Sequence, residues 1–133
     1  LIIRHPDSKY AGKRVDGLVS AIDLMPTLLA LLGIDDYKET DGDNMWKLVT
    51  GRATSIHDDV YTVFGQFGAI HNREWHYFQN VVGKNRGKGP CLYRLKDDPE
   101  QVKNVLREFP QVAKELRDKM QRHLGIVIPP LDI

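Results

Sequence analysis

Cysteine, a dominant charge and long apolar runs are what this sequence lacks. Its 133 residues include a single Cys, which excludes a disulfide framework and any zinc site built from several cysteines. Nineteen basic and eighteen acidic residues leave a formal net charge of +1, so no global field favours nucleic acid or an anionic membrane as a partner. No apolar stretch approaches the roughly 20 residues of a membrane-spanning helix. These absences predict an ordinary water-soluble domain, or a piece of one, with neither nucleic acid nor membrane as partner.

The first residues indicate a piece of a larger fold. The run Leu1-Ile2-Ile3-Arg4 is uniformly aliphatic before its arginine, which is typical of a strand buried on both faces of a parallel sheet. We therefore expect a strand here and a C-terminal fragment of a longer protein. A chain cut from its sheet would expose apolar surface around residues 1–3 and 24–32, so we also expect the isolated chain to self-associate.

A helix is predicted from Asp23 to Gly33. With Asp23 as N-cap, Pro26 takes the third helical position, where a missing N–H costs no intrahelical bond. Gly33 is typical of a left-handed C-terminal cap. The segment between them is apolar almost all round, which predicts a buried helix. Residues 35–51 are predicted to be loop with one short helix at most.

From Val60 the pattern changes to alternation. Four segments rich in β-branched and aromatic residues predict an antiparallel meander: 60–64, 68–72, 74–82 and 91–95. Alternation sends Trp75 and Tyr77 to one face of the sheet and Phe78 to the other.

The chain is predicted to close on helices. Asp98, Pro99 and Gln101 form a capping box with proline at the first helical position, followed by apolar residues up to Phe109. After Pro110 a second, longer helix is indicated by apolar residues every four positions up to Gly125, namely Val112, Leu116, Met120 and Leu124. The predicted fold class is therefore mixed: a piece of an α/β domain followed by an α+β unit, in which a long C-terminal helix packs on a four-stranded antiparallel sheet.

The order of the local motifs carries a family resemblance. Along the chain they read Arg4-x-Pro6, Val19-x-x-x-Asp23-x-x-Pro26-Thr27, Asp41-Gly42 and Leu92-Tyr93-x-Leu95-x-x-Asp98-Pro99-Glu100-x-x-x-Asn104. In this order and spacing, over about residues 1–110, they resemble the C-terminal third of the type I sulfatases, members of the alkaline-phosphatase-like superfamily. Arg94 and Asp43 depart from the family pattern, which usually has Asp and Ser there.

The resemblance implies a parent enzyme that hydrolyses sulfate esters. Its nucleophile would be a formylglycine made from Cys or Ser in a Cys/Ser-x-Pro-x-Arg motif, assisted by calcium. That motif is absent here, because Cys91 is followed by Leu92 and Tyr93. We therefore expect no catalytic residue and no metal ligand in this chain, which would be inactive alone.

The resemblance also implies a domain division and partners. Residues 1–53 would be the tail of the catalytic α/β domain and 54–133 a C-terminal subdomain, with the upstream catalytic domain as partner and a sulfated small molecule or glycan as substrate. Many members are exported to the periplasm, the extracellular space or lysosomes. Two alternatives stay open: a phosphonate monoester or phosphodiester hydrolase of the same superfamily, and a non-catalytic module that binds an anionic glycan or a protein.

Two short segments are candidate substrate-binding sites. His71, Asn72 and Arg73 lie between two predicted strands, where a cationic rim of the substrate cleft could hold sulfate oxygens; the alternative is a solvated turn. Lys84 and Arg86 lie in the basic stretch 83–89 and could contact an anionic substrate; the alternative is a hairpin connection. That stretch lacks the spacing of a phosphate-binding loop, and residues 41–44 lack the carboxylate spacing of an EF-hand.

Overall fold

The computed structural model describes residues 1–34, 38–83 and 89–131. The chain divides into two compact units, Leu1–Asp58 and Asp59–Ile133. Within the described ranges, no helix is long and apolar enough to cross a membrane.

The first unit is built around two short helices. A 3-10 turn, Ala21–Asp23, leads into helix α1, Leu24–Leu31, and helix α2 spans Trp46–Thr50. Pro26 occupies the third position of α1, as predicted. Gly33 ends that segment with a φ of 68°, a left-handed conformation that glycine adopts without a steric penalty.

The predicted strand at the start of the chain is wrong for this structure. Residues 1–4 have no strand conformation, and Ile2 is 97% exposed. A strand exists only where a neighbouring strand accepts and donates its backbone hydrogen bonds, and no segment described in the first unit provides one.

Helix α1 is less buried than its composition predicts. Pro26 and Thr27 are buried, whereas Leu24, Met25 and Leu28 are exposed. A helix that is apolar all round requires cover on every side, and the first unit covers only one. The prediction of a fully buried helix is therefore wrong, while the predicted apolar exposure around residues 24–32 is present. Whether it causes self-association stays a prediction.

The second unit contains the predicted meander. Strands β1 (Val60–Phe64), β2 (Phe67–His71), β3 (Trp75–Asn80) and β4 (Cys91–Arg94) form one sheet in the order β1-β2-β3-β4. All neighbours are antiparallel. The four-stranded sheet is confirmed, with boundaries within two residues of those predicted.

Helix α3, Pro110–Leu124, packs on one face of this sheet. The core joins sheet residues Ile70, Tyr77 and Leu92 to helix residues that repeat at three- and four-residue spacing, namely Ala113, Leu116 and Met120. Gly125 ends the helix with a φ of 65°, as predicted. The α+β arrangement of a long helix on an antiparallel sheet is thus confirmed.

The segment after α3 turns back onto the same core. Ile128 is 1% exposed, and the Arg117 guanidinium donates to the carbonyl oxygens of Ile128, at 2.7 Å, and Pro129, at 2.9 Å. Gln79 Nε2 donates to the Pro129 carbonyl oxygen as well, at 3.1 Å. These bonds satisfy carbonyl groups of a segment that has no regular secondary structure.

The helix predicted to begin at Asp98 is absent, since residues 98–109 form turns and irregular chain. The Asp98 carboxylate does accept the backbone N–H groups of Val102 and Lys103, as a capping residue would. Gln101, however, has a φ of 56°, outside the helical range.

The chain then runs along the free edge of β4. Val105 N–H donates to the Leu92 carbonyl oxygen at 2.8 Å, and Leu92 N–H donates to Asn104 Oδ1 at 3.0 Å. Leu106 N–H also donates to Asn104 Oδ1, at 3.1 Å. Hydrogen bonds to the edge of β4 therefore form in place of the helix predicted from Asp98.

Candidate functional site

The predicted residues His71, Asn72 and Arg73 lie at the β2–β3 connection. Asn72 Oδ1 accepts the backbone N–H of Glu74 at 3.0 Å and of Trp75 at 2.8 Å. Asn72 Nδ2 donates to Asp59 Oδ1 at 3.1 Å. The Asn72 side chain therefore builds the turn, while Arg73 beside it is exposed.

His71 ends β2 and points to the face of the sheet opposite α3, here called the outer face. Its neighbour Ile70 belongs to the helix-side core, and successive side chains of a strand alternate between faces. In the strand register His71 pairs with His76, and His76 pairs with Tyr93. The His71 and His76 rings are 5.5 Å apart, centre to centre. The outer face thus carries a histidine pair that continues into an aromatic row.

Aromatic rings and one buried thiol occupy the rest of the row. Phe78 and Tyr93 are stacked with ring centres 6.2 Å apart, and Phe78 pairs with Cys91 in the register. The alternation predicted for Trp75 and Tyr77 against Phe78 is confirmed, because the first two pack in or against the helix-side core.

Two groups on the outer face have shifted pKa values. Burial, with a smaller contribution from the charge of His76, lowers the pKa of His71, so its imidazole is neutral at neutral pH. Burial, followed by the hydrogen bond with Cys91, raises the pKa of Tyr93 to about 12. The outer face therefore carries the His71 imidazole and the Tyr93 phenol in their neutral forms, beside the Phe78 ring.

Lys84 and Arg86 lie outside the described residues. Their contact with an anionic substrate stays a prediction.

A second polar cluster, in the first unit, was not predicted. The Asp23 carboxylate is completely buried and accepts the backbone N–H of Ser20 at 2.7 Å and of Asp43 at 2.8 Å. His57 Nε2 lies 2.9 Å from both of its oxygens. Burial alone would raise the pKa of Asp23, but these hydrogen bonds together with the charge of His57 outweigh it and lower the pKa.

This cluster explains the motif residues around Asp23 structurally. The Thr27 hydroxyl donates to the Asp23 carbonyl oxygen at 2.6 Å and accepts the Met45 N–H at 2.9 Å. A side chain at Gly42 would lie 2.3 Å from the Ile22 carbonyl oxygen, so only glycine permits this approach. Asp23 therefore organises the turn before α1 instead of capping the first turn of α1 with its side chain, since no such capping bond forms.

His5, near the start of the chain, packs against an aromatic side chain. Its ring is stacked on Trp46 with centres 5.2 Å apart, and Tyr10 meets Trp46 edge-on at 5.4 Å. These three residues line a groove of about 830 Å³ in the first unit.

Cys91, followed by Leu92, is buried in β4. Residues 1–34, 38–83 and 89–131 contain no group of three or more His, Cys, Asp or Glu side chains placed to hold a metal ion.

The two units, the second with its meander and long helix, belong to a known class of protein domain. Residues 1–125 match the protein family described as "N-sulphoglucosamine sulphohydrolase, C-terminal", and the chain belongs to that family. Among curated relatives, it is 28% identical to Arylsulfatase K of Danio rerio, over 93% of this chain and 25% of the relative. It is 27% identical to the uncharacterised sulfatase YidJ of Escherichia coli, over 98% of this chain and 27% of the relative.

Solved structures support the same fold. The phosphonate monoester hydrolase of Agrobacterium radiobacter superposes with a TM-score of 0.66 at 21% identity, covering 87% of this chain and 27% of that structure. The chain thus spans about a quarter of the length of the relatives that it matches.

Proposed function

We propose that this chain is the C-terminal region of a sulfatase, a hydrolase of sulfuric esters. The observation that carries the proposal is the family match over residues 1–125, together with the sulfatase relatives that cover nearly the whole chain. In this proposal residues 1–53 are the tail of the catalytic α/β domain and 54–133 the C-terminal subdomain. The division of the structure between Asp58 and Asp59 supports a boundary in this segment.

The chain's role is to complete the fold of the parent enzyme, not to perform its chemistry. A formylglycine nucleophile and a calcium ion would be provided by upstream residues, and the chain alone would be inactive. The exposed apolar side chains of α1, including Met25 at 58% and Leu28 at 56%, support an upstream domain as the partner that covers them. An exported parent, periplasmic, extracellular or lysosomal, is part of the same proposal.

The second role is to form one wall of the substrate cleft. The exposed Arg73, beside His71 and Asn72, would bind a sulfate or carboxylate group of a sulfated small molecule or glycan through charge-assisted hydrogen bonds. Lys84 and Arg86 would add cationic contacts. The rigid turn built by Asn72 supports a fixed position for Arg73.

The test compares the full-length gene product with this chain on a chromogenic aryl sulfate in the presence of calcium. We expect activity in the full-length protein and none in the chain. Arg73→Ala in the full-length protein should raise KM roughly tenfold, the loss of one hydrogen bond to a charged group. Arg107→Ala, at another exposed arginine of the second unit, is the matched control and should leave KM unchanged. Equal KM values for the two variants would show that Arg73 does not contact the substrate.

One alternative activity has a specific observation behind it. The phosphonate monoester hydrolase of Agrobacterium radiobacter has this fold, with a TM-score of 0.66, and we therefore take phosphonate monoesters as the second substrate class. A full-length protein that hydrolyses an aryl phosphonate faster than the aryl sulfate would favour that class. A gene product scarcely longer than 133 residues, inactive on both esters, would instead favour a non-catalytic module that binds an anionic glycan or a protein.

A further inference from the structure

The histidine pair on the outer face has the geometry of a chelating site. His71 and His76 are register partners on neighbouring antiparallel strands. Asn72 N–H donates to the Trp75 carbonyl oxygen at 2.9 Å, which makes 71–76 a non-hydrogen-bonded pair, the kind whose side chains lie closest together. Both side chains are half-buried, so the backbone and the neighbouring rings restrict their rotamers.

The separation of the rings suits one ion between them. A Zn–N bond of about 2.1 Å places each ring centre roughly 3.2 Å from the metal. If one nitrogen of each ring points at the ion, ring centres 5.5 Å apart subtend roughly 120° there, about 10° from the tetrahedral angle that Zn²⁺ prefers. The planes of the two rings are tilted by 36° to each other.

Gln101 gives His76 the outer hydrogen bond that metal-binding histidines use. His76 Nδ1 is hydrogen-bonded to Gln101 Oε1. An amide oxygen only accepts, so Nδ1 is the donor in this bond, and Nε2 is the ring nitrogen left to face a ligand. Gln101 reaches this position from a left-handed backbone with a φ of 56°, an unfavourable conformation for a residue other than glycine.

We propose that His71 and His76 bind one Zn²⁺ ion on the outer face, with Gln101 as the positioning residue behind His76. Two imidazoles fill two of four positions, and water or an anionic oxygen of a bound molecule fills the others. The site is independent of the calcium of the proposed parent enzyme, and its test does not depend on sulfatase activity.

The direct test follows the ring nitrogens of all five histidines by NMR while Zn²⁺ is added to the 133-residue chain at pH 7.5. We expect the signals of His71 and His76 to shift together and to saturate at one ion per chain. The signals of His5, which is stacked on Trp46 in the first unit, should not follow that curve. The proposal is overturned if His71 and His76 stay unchanged at saturating Zn²⁺, or if their curves differ.

Variants measure the contribution of each group by calorimetry with Zn²⁺. His71→Gln and His76→Gln should each weaken binding roughly tenfold or more, and Gln101→Leu about tenfold through the lost outer hydrogen bond. His5→Gln is the matched control and should bind like the unmodified chain. Unchanged affinity in both His71→Gln and His76→Gln, with the metal-free thermal melting curve retained, would place the ion elsewhere and refute the site.

Discussion

Removing the Asp23 carboxylate should strongly destabilise the first unit. The carboxylate is completely buried and holds three groups: the backbone N–H of Ser20, that of Asp43 and the imidazole of His57. Replacing it by a methyl group in Asp23→Ala leaves all three without their acceptor. It also separates the turn before α1 from the 41–45 loop and from residue 57.

The expected size follows from these contacts. Each hydrogen bond to an ionised acceptor contributes about 1.5–3 kcal/mol, but the values are not additive because exposed donors regain water. The His57 side chain is 16% exposed and can rehydrate in part. Breaking a buried ion pair by removing one partner costs about 3–5 kcal/mol, which we expect for Asp23→Ala. His57→Ala leaves both backbone bonds to the carboxylate in place and should cost about 1–2 kcal/mol.

The assay is urea unfolding followed by the fluorescence of Trp46. Of the two tryptophans, Trp46 lies in the first unit and Trp75 in the second, so a Trp75→Phe background makes the signal specific for the first unit. Asp7→Asn is the control, since the Asp7 side chain is 78% exposed and its loss should change the unfolding free energy by less than about 0.5 kcal/mol. A loss below about 1 kcal/mol in Asp23→Ala would show that the cluster is not what holds the unit together.

The same carboxylate sets a pH dependence. Its pKa in the folded chain is lowered below the ordinary value of 3.8, so it stabilises the fold above that value and the contribution is lost as the pH falls through the folded pKa. The difference in unfolding free energy between the unmodified chain and Asp23→Ala should be constant at neutral pH and narrow below about pH 4. A difference in unfolding free energy that stays constant down to pH 2.5 would contradict an ionised Asp23 carboxylate in the folded chain.

Three further measurements test the core packing and the turns of the chain. Gly42→Ala should lower the unfolding free energy by about 2 kcal/mol or more, because the added methyl would lie 2.3 Å from the Ile22 carbonyl oxygen; urea unfolding measures it, and near-neutral stability would contradict this contact. Leu116→Ala, at a core position 3% exposed, should cost about 2–5 kcal/mol in thermal or urea unfolding, against less than about 0.5 kcal/mol for Val102→Ala at 83% exposure. The Asp98 carboxylate accepts the backbone N–H groups of Val102 and Lys103, and these bonds lower the pKa of Asp98. A carbon-13 NMR titration should find this pKa below the ordinary 3.8, and an ordinary or raised pKa would contradict the two bonds.

The meander and helix α3 could be predicted because their signals are local. The alternation of apolar residues in 60–64 and the four-residue apolar repeat up to Leu124 each indicate the buried face. Both patterns are complete within a few residues. Gly125 and Gly33 end their segments for the steric reason predicted, a positive φ. The family resemblance also rests on short motifs, and the match over residues 1–125 confirms it.

The failed helix at Asp98 shows the limit of such signals. Its capping bonds form as predicted, yet the chain leaves the helical path at Gln101. The competing demand comes from Leu92, an edge-strand residue whose N–H and carbonyl are satisfied by Asn104 and Val105. Satisfying that edge outweighs the local preference of the segment for helix.

Sequence patterns were sufficient to predict the elements whose signals lie within one turn or one strand: the four strands, helix α3 and the glycine-ended turns. Tertiary structure alone decided that His57 meets Asp23 across 34 positions, and that Gln101 meets His76 across 25. The physical reason is that periodicity and capping act between neighbours in the chain, whereas a hydrogen bond between distant residues leaves no pattern in the sequence around either of them.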